Sequence, residues 1–160
     1  KRQAGEDFYM LNKLAKLGPI LTPDTSPVLI HARISDRTPF GTGMSVAQIL
    51  NLDHLSHFHY YNPACFRMLR HWYDHLQSIG YEDFETFLSS LPPPLRRALA
   101  NQRVDTLATH LISSKLNQSR LQTACHIWLD GFKSLKIIRD LQSDFPPRPL
   151  LATLKENIGF

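Results

Sequence analysis

Apolar side chains along this chain recur at steps of three and four residues, the spacing of helices that bury one face, and period-two alternation is nearly absent. The clearest run opens at Asn62-Pro63, a cap followed by a favourable first-turn proline. It carries Cys65, Leu69, Trp72, Leu76 and Ile79 as one stripe before Gly80 stops it. "EDFYMLNKLAKLGP" predicts a short amphipathic helix with Phe8, Leu11, Leu14 and Ala15 on one side and Gly18-Pro19 as its stop. Ser45 followed by Gln48 has capping-box spacing and predicts a helix from there to about Phe58. "YEDFETFLSSL" reads as a further short helix with Phe84, Phe87 and Leu88 inward. Pro92-Pro93-Pro94 then opens another at "LRRALANQ".

The apolar phase slips around Asn101 to Arg103, which places a break there and a restart at Asp105 with "TLATHLISSKL". Ser119 with Gln122 repeats the capping-box spacing and predicts one long helix over "RLQTACHIWLDGFKSLKIIRDLQ". Its apolar side would be Leu121, Cys125, Trp128, Phe132 and Leu135, with Gly131 tolerated inside at a cost of about 1 kcal/mol. Prolines and glycines from Pro23 to Gly43 interrupt any regular element, so residues 19–43 form an extended arm or loop in which Val28 to Ile34 could make a short strand. Residues 144–160 read as a Pro-rich linker and a terminal helix. The fold class is therefore all-α, a compact bundle of about six to seven helices.

Length and composition narrow the class further. At 160 residues the chain is one domain's length. With 42% apolar and 20% charged residues it matches ordinary globular proteins, and no run approaches the roughly 18 apolar residues of a membrane span. The opening "KRQAGEDFYM" lacks the apolar core and small-residue cleavage site of a signal peptide, and the chain reads as a fragment of a larger protein. Cys65 and Cys125 both fall on apolar stripes, which makes them buried free thiols and points to an intracellular setting, cytoplasmic or nucleoid/nuclear.

Residues 54 to 75, "HLSHFHYYNPACFRMLRHWYDH", concentrate five histidines. His71 and His75 are four apart on one helix, the spacing of two metal ligands, but no second half-motif completes a site, so they more plausibly border the core. Nor does a catalytic set emerge: the cysteines are buried, and Glu82, Asp83 and Glu85 suit a helix start. A non-enzymatic role without a cofactor is the expectation.

Charge distribution says more. Between Arg96 and Arg139 stand eight basic residues against Asp105 and Asp130, within a chain of net charge +4. The corner "KLNQSRLQ" sets Lys115, Asn117, Gln118, Ser119, Arg120 and Gln122 together, combining phosphate-binding cations with amides that can read base edges. The predicted nucleic-acid-binding face is Arg96, Arg97, Arg103, Lys115, Gln118, Arg120, Lys133 and Lys136. The rival reading is a protein-interaction or adaptor module of a bacterial or viral assembly. It would use the Pro-rich segments Leu91 to Leu95 and Phe145 to Leu150 with exposed parts of Tyr60, Tyr61, Trp72 and Tyr73.

Two stretches resemble the helical core-binding, SAM-like DNA-binding domain of tyrosine recombinases and phage integrases. "NPACFRMLRHWYDHLQSIG" is similar to that domain's first helix, and "VDTLATHLISSKLNQSRLQTACHIWLDGFKSL" to its later helix pair. The resemblance covers about a third of the chain and implies clamping of duplex DNA. It departs in the insert from Tyr81 to Arg103 and in residues 1 to 60. No catalytic domain is present, so no activity is implied.

Overall fold

A computed structural model describes residues 5–21, 24, 27–29, 31, 33–34, 42–76, 78–80 and 82–158. Among them are nine α-helices: α1 Glu6–Leu14, α2 Thr42–Leu50, α3 Pro63–Leu76, α4 Phe84–Ser90, α5 Pro93–Asn101, α6 Val104–Ser114, α7 Gln118–Trp128, α8 Gly131–Leu141 and α9 Leu150–Ile158. A two-stranded ladder pairs β1, His59–Tyr60, with β2, Arg148–Pro149. The fold is all-α. None of the described helices is long and apolar enough to cross a membrane.

Contacts divide the chain into two compact units, one of residues 1–59 with 149–160 and one of the continuous stretch 60–148. In the first, α9 packs on a 3-10 turn at Leu55–His57, and the Leu150 amide donates to the Phe58 carbonyl at 2.8 Å. α2 begins at Thr42, so Ser45 lies within the helix rather than capping it, and the helix ends at Leu50 instead of near Phe58. Helix α1 forms as expected, with Phe8, Leu11 and Leu14 partly exposed. Most of the arm at 19–43 lies outside the described residues; Val28, Leu29 and Ile34 belong to no strand.

Every fully buried residue among those described belongs to the second unit. Its logic begins at α3, where the Asn62 side chain accepts from the Ala64 amide at 3.0 Å and Pro63 occupies the first helical position. The predicted stripe of Cys65, Leu69, Trp72, Leu76 and Ile79 is buried throughout, although the helix stops at Leu76 and Ile79 follows it. α8 packs on both α3 and α5, while α6 packs on α5 and α7.

Trp72 is fully buried, with Phe84, Phe87 and Trp128 around it at ring-centroid distances of 6.1, 5.6 and 5.8 Å. Its indole N–H meets no acceptor among the described residues. The Pro92-Pro93-Pro94 segment starts α5 as the sequence predicts, and it buries Leu91 and Leu95.

Two expected features differ. The long helix over residues 120–142 is two, because the Asp130 side chain accepts from the Phe132 and Lys133 amides at 3.1 Å each and caps a new helix that begins at Gly131. Restarting the helix also changes its inward face. Ile137, Ile138 and Leu141 enter the core, and Phe132 and Leu135 are only half-buried.

Candidate nucleic-acid interface

The α6–α7 hairpin is built by a three-residue turn. Leu107 and Leu111 hold α6 to the core and Leu121 and Cys125 hold α7, so the turn between them faces outward. Lys115 takes the left-handed conformation at φ 45° and ψ 48°, which reverses the chain at a position where glycine is more usual. Asn117 then caps α7, its side-chain oxygen accepting from the Arg120 amide at 3.0 Å. This corrects the expected cap at Ser119: that residue is already helical, and its carbonyl accepts from the Thr123 hydroxyl at 2.9 Å.

Asn117 and Gln122, both expected at this corner, bond within the protein. The Asn117 oxygen is spent on the cap, and the Gln122 amide donates to the Leu76 carbonyl of α3 at 3.4 Å. Lys115, Gln118, Ser119 and Arg120 remain exposed around the turn. Neither Lys115 nor Arg120 forms an ion pair among the described residues. From Thr106 to Leu129 there is no aspartate or glutamate. The hairpin is cationic without internal compensation.

The rest of the predicted basic face is divided. Arg96 donates to the Ser89 carbonyl of α4 at 3.0 Å. Its neighbour Arg97 turns instead to Asp144 beyond α8, engaging both carboxylate oxygens and the Ser143 hydroxyl. Asn101 and Gln102 reach Asp140 on the same α5–α8 edge. Arg103, left-handed at φ 63°, pairs with Asp105 at 3.2 Å. Lys133 sits 4.8 Å above the Trp128 ring, a cation–π contact, and Lys136 is exposed on α8. Lys115, Gln118 and Arg120 are thus brought together, whereas Arg97 and Arg103 are matched by acids.

The Arg97 hydrogen bond holds the Asp144 carboxyl below its ordinary range, and the Arg103 hydrogen bond does the same for Asp105. A depressed carboxyl contributes stability above its unfolded value of about 3.9 and loses it as pH falls through the folded value. Wild type should therefore melt higher than Asp144→Asn at pH 6, and the two curves should converge below about pH 4. Parallel curves across that window would assign the pair no role in stability.

The histidines of the α3 region serve local hydrogen bonds. A carbonyl only accepts, so His75 carries its proton on Nδ1, donating to the His71 carbonyl at 2.8 Å, while its ring stacks on Phe87. His59 does the same toward the His57 carbonyl at 2.9 Å, and His54 Nδ1 accepts from the Ser56 amide at 3.1 Å. Among the described residues no three histidine, cysteine or acidic side chains come together to hold a metal around His71 and His75 or elsewhere.

Cys65 and Cys125 are free and buried, as their stripe positions predict. Burial raises both thiols, Cys125 to about 12, which suppresses the thiolate a nucleophile needs. Of the rival interaction surface, Trp72, Leu91 and Leu95 are core residues, while Tyr60, Tyr73, Pro93, Pro146 and Pro147 are exposed. No protein-family model, curated protein or solved structure matches the chain.

Proposed function

We propose that the second unit binds nucleic acid through the α6–α7 hairpin, with Lys115 and Arg120 on phosphates and Gln118 and Ser119 beside them. One observation supports this above others: the acid-free stretch from Thr106 to Leu129 turns outward at two cations that no carboxylate offsets among the described residues. Such a surface attracts a polyanion, and water-exposed cations release counterions when phosphates replace them. Lys136 and Arg139, exposed on α8, add to the same balance of charge.

The test is a binding titration at several salt concentrations with wild type and the double variant Lys115→Glu, Arg120→Glu. If each residue neutralises one phosphate, the log–log salt slope on duplex DNA should become shallower by about 1.8. Affinity should fall at least tenfold at low salt, with little change in melting temperature because both side chains are exposed. Equal binding by the two proteins would discard the assignment. Helix α1 supports a second reading, docking of a protein partner, because Leu11 and Leu14 are exposed on one side of it.

A further inference from the structure

Among the described residues, the exposed aromatic side chains of the second unit are not scattered. Tyr60, Phe66 and Tyr73 are 50, 46 and 36% exposed, and all lie on α3 or on the strand that leads into it. Phe66 and Tyr73 are seven residues apart, so they share one flank of the helix about 10 Å apart along its axis. Neither ring hangs loose. Phe66 meets Tyr61 edge to face at 6.3 Å, and Tyr73 lies flat against His126 of α7, 15° from parallel with centroids at 5.8 Å. Through that stack the strip joins the acid-free hairpin.

Its electrostatic setting is also cationic. α3 carries Arg67 and Arg70 on its exposed surface, and its one acid, Asp74, is paired with Arg70 at 3.2 Å. Flat, partly exposed rings held by neighbours, interleaved with arginines and bordered by a helix without carboxylates, make a platform for stacking bases while their phosphates follow the cations. Paired bases within a duplex keep their faces covered; unpaired bases offer them. A protein surface would use the rings equally well but gives no reason for the missing acids.

From this arrangement we infer that the nucleic acid taken by this unit is single-stranded, its unpaired bases stacking on Tyr73 and Phe66 while Arg120 and Lys115 hold the backbone. The inference rests on the reading of the hairpin as a nucleic-acid interface, and it names the form of the ligand. A duplex, the expectation from the sequence, is the alternative.

Fluorescence anisotropy of the whole chain with a labelled oligothymidine and a labelled duplex of equal length separates the two ideas. Oligothymidine should bind more tightly. Tyr73→Ala and Phe66→Ala should each weaken it about tenfold, Tyr73→Phe should bind like wild type, and circular-dichroism melting should show all three folded. If the duplex binds as well as the single strand, or if both alanine variants bind oligothymidine like wild type, the stacking platform is wrong and the hairpin reading stands. If neither probe binds, both ideas fall and the aromatic strip belongs to a protein partner.

Discussion

Truncation of Trp72 to alanine is expected to cost about 3–5 kcal/mol, a large part of the total stability of a domain this size. The reason is its position where α4 and α7 meet the α3 stripe: Phe84 and Phe87 of α4 and Trp128 of α7 surround the indole, and none of its surface reaches water. Removing it leaves a cavity that the surrounding rings cannot fill without leaving their own packing. Urea denaturation followed by far-ultraviolet circular dichroism measures the loss.

Trp72→Phe is the informative companion. It keeps an aromatic body and deletes a buried N–H that has no acceptor among the described residues, so relief of that donor partly offsets the lost volume. Its cost should stay under about 2 kcal/mol. A loss below about 1 kcal/mol for the alanine variant would show that the aromatic cluster is not where the unit gains its stability.

A second large effect concerns thiol chemistry. With its pKa raised to about 12 by burial, Cys125 at pH 8 holds far less thiolate than an exposed cysteine near about 8.5. Alkylation of the native protein should therefore proceed only through opening of the fold, with mass spectrometry of peptides assigning the modified site. In that regime the labelling rate follows the population of the open form. Trp72→Ala should accelerate it roughly a hundredfold or more, the population change that corresponds to its stability loss. Native Cys125 reacting as fast as a free thiol would contradict its placement at the α7 side of the core.

How far the chain could be read in advance depended on how local each determinant was. The α3 stripe was legible because Cys65, Leu69, Trp72 and Leu76 are turns of a single helix. The α7–α8 break was misread although its signal is local, since an Asp130 side chain that caps the amides two and three residues on looks, along an apolar pattern, like one more polar position. Likewise, Ser119 and Gln122 have capping-box spacing, yet Asn117 two positions earlier takes the cap and Gln122 is drawn to the Leu76 carbonyl.

The candidate interface was less legible. Whether Arg97 is available depends on Asp144, 47 residues along the chain, which only the packing of α5 against α8 brings close. The missing carboxylates between Thr106 and Leu129 were visible from the start, but that gap acquires meaning only when α6 and α7 are seen to fold it into one hairpin. The stack of Tyr73 on His126 joins residues of two helices and has no local signature at all.

The second unit's two ends meet. The Asn62 side chain donates to the Pro146 carbonyl at 3.3 Å, tying the entry of residues 60–148 to their exit. Topologically this makes the stretch a closed cassette. A polypeptide whose start and finish coincide can be spliced into a surface loop of an unrelated host, or rejoined head to tail and cut elsewhere, with little penalty for closing the ring.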